Sequence, residues 1–204
     1  MAERLGVHRL LQIPQVYNFV QSLFFHEESH RLWKQLVRGH RNGAVLDVGC
    51  GPGNKSLYFR EARTYIGVDV SEDYVTTARR LFGDFGHFYV LSATDIDQLD
   101  PAGFDLVLLS GVLHHLTDLE VESFLTKVRG KLNSGGNLVT IDPTYVEGRT
   151  LANFVVSQDR GLHVRSPGEV LALTEKHLVT LNLNVVEQRF PPYQRLLLRL
   201  GPKR

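Results

Sequence analysis

The stretch VLDVGCGPG, residues 45–53, places three glycines, a proline and the only cysteine of the chain directly behind a short apolar run. Glycine has no Cβ and tolerates positive φ, so a ligand can approach such a backbone closely. In open parallel α/β sheets, ligands bind beyond the carboxyl ends of the strands, near the point where the strand order reverses. The stretch therefore predicts a strand, a glycine-rich turn and a helix that surround a nucleotide-like ligand.

Apolar, strand-like runs alternate with helix-like segments from Ala44 onward. The first five runs are almost continuously apolar, which is typical of parallel strands covered by helices on both faces. We therefore expect an α/β, Rossmann-like doubly wound sheet of about seven strands, mostly parallel with an antiparallel last strand. The runs are AVLDVG, TYIGVDV, HFYVLSA, FDLVLLSGVL, NLVTID, VTLNLNVVEQ and QRLLLRL.

Three helix starts carry a capping signal. Ser71 precedes EDYVTTARRLF, Thr117 or Asp118 precedes LEVESFLTKVRGKL, and Ser166 opens a capping box with proline at the first helical position. Residues 143–166 show little regular pattern between the fifth strand and this last helix. A loop of that length in a compact domain predicts a substrate-side lid.

Residues 1–40 carry apolar positions at helical spacing, and Pro14 is expected to open the first of these helices. Two interpretations remain open: the helices pack against the sheet, or they cap a ligand with Tyr17 and His26 facing it. The sequence predicts an N-terminal helical cap at 1–40 and a ligand-binding domain at 41–204.

Composition excludes several classes of partner. Lysine and arginine number 23 against 22 acidic residues, and no long basic run is present, so we expect no nucleic-acid partner. The apolar runs are far shorter than the ~20 residues of a membrane-spanning helix, and no membrane partner is expected. The first residues lack the pattern of a secretion signal and Cys50 has no second cysteine to pair with, which predicts a cytoplasmic protein.

The spacing of the glycines and of one acidic residue indicates which ligand binds. Asp69 follows Gly49 by 20 residues at the end of the second strand, where a carboxylate can accept both ribose hydroxyls. The glycines read G-x-G-x-G after Asp47, which departs from the G-x-G-x-x-G of dinucleotide sites. At these residues the chain resembles the class I S-adenosylmethionine-dependent methyltransferases, and the resemblance extends over about residues 45–142.

The resemblance implies S-adenosylmethionine as cofactor and S-adenosylhomocysteine as product. LSATDI corresponds to the segment that reads adenine, but Ser92 stands where many members carry aspartate. The adenine amino group is therefore expected to contact either Ser92 or Asp95, with the backbone N–H of Ala93 facing the ring. The implied cofactor residues are Asp47, Gly49, Cys50, Gly51, Gly53, Asp69, Val70, Ser92, Ala93, Thr94, Asp95 and Ser110, with Tyr17 from the N-terminal cap.

Two stretches of the chain are similar to motifs of other protein classes. GCGPGNKS approaches a phosphate-binding P-loop, but Asn54 replaces its last glycine and Asp69 would have no role. RFPPYQ is similar to the Asp/Asn-Pro-Pro-Tyr motif of nucleobase methyltransferases, but Phe190 leads it and it does not follow the fourth strand. We therefore reject nucleobase methylation, and Tyr193 either lines the pocket or belongs to a plain tight turn.

His114, His115 and Asp118 are residue types that bind metals. Adjacent histidines in an extended segment point to opposite sides, and Pro143 rather than a second acidic residue follows Asp142, so no metal is predicted. Cys50 is interpreted as a small residue that fits a tight turn and not as a nucleophile.

A methyl group on a positive sulfur is already activated, so the protein mainly has to align an acceptor lone pair with it. A hydroxyl or a protonated amine also needs a base, and His114 or His115, with Asp142, are the catalytic candidates. The alternative is that the histidines only shape the cofactor pocket. Candidate acceptor-binding residues are Tyr145, Arg149, Arg160, His163, Arg165 and Tyr193; the arginines either pair with a carboxylate or phosphate or are solvated charges.

The sequence thus predicts a monomeric or homodimeric methyltransferase that acts on an oxygen or nitrogen of a small molecule by in-line displacement. Two alternatives stay open: a protein or RNA methyltransferase, and a binding protein that uses the fold without chemistry.

Overall fold

The computed structural model describes residues 27–100, 103–157, 161–188 and 192–203. The predictions for Tyr17, His26, Pro14 and Arg160 lie outside these residues. The described chain forms one seven-stranded sheet, whose strands are β1 (Ala44–Val48), β2 (Thr64–Asp69), β3 (His87–Val90), β4 (Phe104–Ser110), β5 (Leu132–Pro143), β6 (Leu178–Gln188) and β7 (Tyr193–Pro202).

The strand order is β3-β2-β1-β4-β5-β7-β6. The pairs from β3 to β5 are parallel, whereas β7 runs antiparallel to both β5 and β6. The predicted mixed sheet is confirmed. Because the order reverses between β1 and β4, the carboxyl ends of these two strands form the crevice where α/β proteins bind ligands.

Helices cover both faces of the sheet, as expected, and each face has its own apolar core. One core packs Val121, Phe124, Leu125 and Val128 against β1 and β4; the other contains Trp33, Val75 and Phe82. The central strands β1 and β4 are therefore buried on both faces of the sheet, whereas the outer strands β3 and β6 are largely exposed. The helices are α1 (Glu27–Val37), α2 (Glu72–Phe82), α3 (Asp118–Lys131), α4 (Thr150–Ser157) and α5 (Pro167–Thr174).

The capping signals position three helices as expected. The Ser71 side chain accepts the N–H of Tyr74 at the start of α2. Thr117, not Asp118, caps α3 and forms a capping box with Glu120. Ser166 forms the same box at α5. Each box satisfies backbone N–H groups that have no partner inside the helix.

The helix expected after the glycine turn is only a 3-10 helix, Asn54–Phe59. Arg63 already donates its N–H to the carbonyl of Gly43 at 3.1 Å, so the chain returns to the far edge of the sheet within a few residues. A 3-10 helix rises about 2 Å per residue against about 1.5 Å for an α-helix, and it covers the same distance with fewer residues.

The lid region is more regular than its sequence indicates, since α4 lies inside it. Ala152 and Val156, four residues apart, are the buried side chains of this short helix. An isolated bridge between Thr144 and Arg165 joins the two ends of the region. The two ends of the lid, just after β5 and just before α5, therefore lie side by side.

Helix α1 is the described part of the predicted N-terminal cap. Its buried residues Trp33, Leu36 and Val37 join the core that contains Val45 and Leu106, so this part packs against the sheet. The division at residue 40 stays a prediction. None of the helices in the described ranges is long and apolar enough to cross a membrane.

Candidate active site

Asp47 lies fully buried near the carboxyl end of β1. Its Oδ2 accepts the phenolic hydrogen of Tyr65 at 2.7 Å, whereas its Oδ1 has no hydrogen-bond partner in the described part of the chain. Burial raises the pKa of this carboxyl, and the opposing influences of Lys55 and the Tyr65 hydrogen bond are smaller. A buried carboxylate with an unpartnered oxygen is costly unless a ligand group pairs with it.

The glycine turn begins with two N–H groups, those of Gly49 and Cys50, that donate to the carbonyl of Val68 at 2.8 and 3.0 Å. Gly49 has φ 72°, and a Cβ there would meet the Val112 side chain at 2.2 Å. Gly51 also has positive φ, but a Cβ there would meet nothing within 4 Å. The turn therefore holds its shape by contacts at Gly49 and leaves open space in front of Gly51.

Asp69, at the end of β2, is oriented by two backbone N–H groups. Gly51 donates to its Oδ2 at 2.9 Å, and Ser71 donates to its Oδ1 at 2.9 Å. Each carboxylate oxygen can accept more than one hydrogen bond. Asp69 is thus held in one orientation with acceptor capacity left for a ligand.

Ser110, the last residue of β4, also carries a buried hydroxyl without a partner among the residues described. Asp47 pairs in register with Leu108, so Ser110 is two residues further along the neighbouring strand and on the same face of the sheet. The switch in strand order therefore brings two unpartnered polar groups together beside the glycine turn.

The predicted adenine segment forms the 3-10 helix Ala93–Gln98. Ser92 caps it by accepting the N–H of Thr94 at 3.2 Å, and its hydroxyl also contacts the Thr94 hydroxyl at 2.9 Å. The partly exposed Asp95 makes no side-chain hydrogen bond within the described ranges, and Val70 beside Asp69 is 72% exposed. The carboxylate of Asp95 follows β3 and the apolar side chain of Val70 follows β2, so both lie beyond the carboxyl ends of neighbouring parallel strands.

Cys50 is buried, and a Cβ at Gly67 of the neighbouring strand would come within 3.0 Å of its sulfur. Burial raises the pKa of the thiol above its usual range, with the nearby carboxylates adding to the effect. The thiol remains protonated, which fits the interpretation of Cys50 as a small packing residue.

His114 and Asp142 form a buried pair at the ends of β4 and β5. The His114 Nδ1 lies 2.8 Å from Asp142 Oδ1, and each side chain is 6% exposed. Burial raises the pKa of Asp142, and its hydrogen bond with His114 only partly opposes this. The other carboxylate oxygen of Asp142 has no partner in the described chain.

His115 follows in the 3-10 helix Leu113–His115, and its ring lies 4.1 Å from the ring of His114 between centroids. The expectation that the two histidines point to opposite sides is wrong, because it assumed an extended segment. Successive side chains of a 3-10 helix are only about 120° apart. Within the described ranges, no group of three His, Cys, Asp or Glu residues is arranged to hold a metal.

Arg165, predicted to bind the acceptor, is buried and turned inward. Its guanidinium donates to Asp118 and to the carbonyls of Leu113, Leu116 and His163. All three of its nitrogens are used in these bonds, so direct acceptor binding by Arg165 has no support in the structure. The expectation failed because the sequence does not show that the lid folds back on the β4 exit.

The remaining predicted acceptor-binding residues are distributed around the lid. Arg149 pairs with Glu187 of β6, and the backbone N–H of His163 donates to the carbonyl of His114. Tyr145 is half-buried beside the base of the lid. Tyr193 is buried at the start of β7, with the Arg195 guanidinium 4.8 Å above its ring.

Two residues of the site were missed from sequence. Tyr65 was assigned only to a strand, and its pairing with Asp47 depends on the β1–β2 register. Gly161 lies against His114, where a Cβ would come within 2.0 Å of the imidazole. The polar hydroxyl within the apolar run TYIGVDV was the available signal for Tyr65, whereas nothing in the sequence marked Gly161.

Comparisons with known proteins find similarity to methyltransferases. Residues 45–136 match the family model described as methyltransferase domain. The human N-terminal Xaa-Pro-Lys N-methyltransferase 1 is 26% identical over 157 residues, which are 72% of this chain and 70% of that protein. A ubiquinone biosynthesis O-methyltransferase from Bradyrhizobium sp. (strain ORS 278) is 36% identical over 98 residues, 47% of this chain and 38% of that protein.

The fold is shared with N-methyltransferase NodS from Bradyrhizobium japonicum WM9, solved in complex with S-adenosyl-L-homocysteine. The TM-score is 0.69 at 16% identity, and the alignment covers 87% of each chain. The chain spans well under two thirds of the ubiquinone enzyme but most of the NodS chain.

Residues 45–136 thus match a methyltransferase domain, and the strand order with a glycine turn at its switch point agrees with the fold of the solved methyltransferases. The matched domain and the structural neighbours are S-adenosylmethionine-dependent methyltransferases, so the chain is consistent with the class I family, whose cofactor is S-adenosylmethionine. The P-loop alternative is thereby set aside.

Proposed function

We propose that the chain is an active methyltransferase that transfers a methyl group to an oxygen or nitrogen of a small molecule. The observation that carries this proposal is the buried His114–Asp142 pair, which lies at the carboxyl ends of β4 and β5 beside the cofactor crevice. A buried imidazole held by a carboxylate is suited to accept a proton from an acceptor.

The residues at the crevice fit the cofactor. Asp69 has its carboxylate oriented to accept the ribose hydroxyls, and the open space at Gly51 allows close approach to the backbone. The unpartnered oxygens of Asp47 and Ser110 suit the ammonium end, because a cation offsets the cost of a buried carboxylate. When bound, S-adenosylmethionine supplies a methyl group on a positive sulfur, which departs as a neutral thioether.

On the adenine side, the structure favours Asp95 over Ser92 for the amino group. The Ser92 hydroxyl is already engaged with Thr94, whereas the Asp95 carboxylate is partly exposed and without a described partner. The exposed Val70 side chain offers an apolar surface to the ring, and Ala93 offers its backbone N–H. Cofactor binding would bury this valine and recover the free energy of its exposure.

On the acceptor side, His114 takes the role of proton acceptor. The Nδ1 of His114 is held by Asp142, which leaves Nε2 as the nitrogen that takes the proton. The hydroxyl or amine of the substrate gives this proton to Nε2 while its oxygen or nitrogen forms the new bond to the methyl carbon. Asp142 fixes the ring orientation and stabilises the imidazolium that results. Tyr145, Arg149, His163 and Tyr193 are proposed to shape the acceptor pocket, together with Arg160 outside the described residues.

A protein N-terminal amine is the second candidate acceptor. The human relative is named for N-methylation at such an amine and is matched over most of its length. The relative named as a ubiquinone biosynthesis O-methyltransferase supports a small molecule as the first candidate.

The first experiment is calorimetric titration with S-adenosylmethionine, with S-adenosylhomocysteine and, separately, with ATP and magnesium. Micromolar binding of the first two alone supports the cofactor assignment. An acceptor screen that detects S-adenosylhomocysteine then compares small hydroxyl and amine compounds with N-terminal peptides. Turnover of peptides alone would overturn the small-molecule proposal, and no turnover with any acceptor would favour a binding protein.

His114→Gln and His115→Gln form a matched pair for the base. His114→Gln is expected to lower kcat by about 100-fold, within the range of general-base catalysis, and to leave cofactor affinity unchanged. His115→Gln changes the exposed partner of the same ring pair. A larger loss with His115→Gln than with His114→Gln would transfer the role to His115.

A further inference from the structure

The last residues of the lid lie directly across His114. Gly161 is buried, and a Cβ at this position would come within 2.0 Å of His114 Cδ2 and 2.5 Å of the His114 carbonyl oxygen. The N–H of His163 donates to that same carbonyl at 3.0 Å. The lid therefore contacts both the ring and the backbone of the proposed base.

Arg165 fixes the loop that carries His114 from both sides. Its Nη1 donates to the carbonyl of Leu113 at 2.9 Å, and its Nη2 donates to the carbonyl of Leu116 at 2.7 Å. These two carbonyls bracket His114. Both Nε and Nη2 also contact Asp118 Oδ1, at 2.9 and 2.7 Å, which balances the charge of the guanidinium.

The backbone of Arg165 is joined to the strand that carries Asp142. Its carbonyl accepts the Thr144 hydroxyl at 2.8 Å and the Tyr145 N–H at 3.3 Å, two and three residues after Asp142. One residue thus connects the backbone beside Asp142 to the backbone on either side of His114. The 2.8 Å contact between the two side chains lies between these attachments.

We infer that Arg165 is a positioning residue for methyl transfer, because it sets the orientation of the His114 imidazole against Asp142. Gly161 contributes to the same positioning, because only a residue without a Cβ allows the lid to pack against the His114 imidazole. The inference rests on the proposed role of His114 as the base. A misplacement of about 1 Å in a catalytic group can cost about 100-fold in rate, so such a contact has a measurable effect.

The chemistry of the guanidinium explains why arginine occupies this position. Its five N–H donors form a planar fork with fixed directions, and here they reach three backbone carbonyls and one carboxylate. Lysine carries the same charge on a single nitrogen with three donors and cannot reach both Leu113 and Leu116 in this geometry. Arg165→Lys therefore keeps the positive charge but loses the simultaneous hydrogen bonds to the carbonyls of Leu113 and Leu116.

The test compares Arg165→Met and Arg165→Lys with wild type, and Arg60→Met serves as the control because Arg60 forms an exposed pair with Asp84. Imidazole nitrogen spectra are recorded with S-adenosylhomocysteine bound, and the His114 signals are identified by their loss in His114→Gln. In wild type we expect one tautomer, with the proton on Nδ1. Both Arg165 variants should give averaged tautomers, whereas Arg60→Met should not.

With an acceptor in hand, both Arg165 variants are expected to lower kcat by about 30- to 100-fold, while KM and the affinity for S-adenosylhomocysteine change less than about threefold. Asp118→Asn weakens the same contacts at an exposed side chain and should give a smaller loss in a folded protein, even if Arg165→Met does not fold. Unchanged tautomer in Arg165→Lys and Asp118→Asn would overturn the inference.

These outcomes are separate from those of the proposed function. If wild type binds no S-adenosylhomocysteine, the proposed function fails, and the spectra of the protein alone still show whether Arg165 orients the ring. If the cofactor binds and His114→Gln lowers kcat, but the Arg165 variants change neither tautomer nor kcat, only the positioning role is wrong.

Discussion

Tyr65 donates its phenolic hydrogen to Asp47 at 2.7 Å across the neighbouring strands β1 and β2, and both side chains are buried. This is the one side-chain hydrogen bond that the described structure gives to the carboxylate. Burial raises the pKa of Asp47 and raises that of Tyr65 well above its ordinary value. The pair therefore keeps the phenolic proton in place and orients the carboxylate toward the glycine turn.

Removing this donor should cost both stability and cofactor affinity. Tyr65→Phe leaves a buried acceptor unsatisfied, and we expect a loss of about 1–3 kcal/mol in the free energy of unfolding. Denaturant unfolding measures the loss, and calorimetry measures the weaker binding of S-adenosylmethionine. Tyr89→Phe is the control, because Tyr89 is exposed on β3. Equal stability of the two variants would contradict the assigned role of the bond.

Asp69 is predicted to carry a large part of the cofactor affinity. Asp69→Ala removes a charge-assisted acceptor from the ribose, and we expect binding to weaken by about 1.5–3 kcal/mol, roughly 10- to 150-fold. Asp84→Ala removes an exposed carboxylate that pairs with Arg60 and should leave the affinity unchanged. Calorimetry of the folded variants decides the outcome, and an unchanged affinity in Asp69→Ala would remove Asp69 from the site.

Two glycines of the turn should respond differently to alanine. A methyl group at Gly49 meets Val112 at 2.2 Å, so Gly49→Ala is expected to lower the unfolding temperature substantially. Gly51→Ala meets no neighbour and adds only the cost of positive φ, about 1 kcal/mol. It should nevertheless weaken S-adenosylmethionine binding, because the methyl group occupies the open space.

Thermal unfolding and calorimetry on both variants give the comparison, with Gly130→Ala at the exposed C-terminal end of α3 as the control. If Gly51→Ala keeps full affinity, the cofactor does not lie against that glycine.

Asp105, at the opposite end of the sheet from the glycine turn, is predicted to make the stability of the protein depend on pH. Asp105 accepts the N–H of Ala44 at 2.8 Å and the amide of Asn133 at 2.6 Å, and it pairs with Arg63. The Ala44 hydrogen bond is the main reason that its pKa is lowered. Its stabilising contribution is therefore present above the ordinary aspartate pKa of about 3.9 and is lost as the pH falls through the lower folded value.

Wild type should thus lose stability more steeply than Asp105→Asn between about pH 5 and pH 2, measured as the free energy of unfolding against pH. S-adenosylmethionine affinity at neutral pH should be the same in both proteins, because Asp105 is remote from the glycine turn. Parallel stability curves would show that the carboxylate charge contributes nothing there.

The local pattern of the sequence was sufficient for the order of the seven strands along the chain and for the glycine turn at the carboxyl end of β1. Continuous apolar runs, capping residues and the glycine stretch act over a few neighbouring residues, so they are readable without a structure. They correctly predicted seven strands, the caps at Ser71 and Ser166, and the position of Asp69 at the end of β2.

Only the tertiary structure decided which distant side chains meet. Tyr65 reaches Asp47 through the register of two strands, and Arg165 turns inward because the lid folds back on the β4 exit. Both relationships join residues far apart in the chain, and the hydrogen bonds that select them form only after the sheet and lid have packed. An arginine in a polar loop looks the same in sequence whether it faces solvent or brackets a histidine, since burial is a property of the assembled fold.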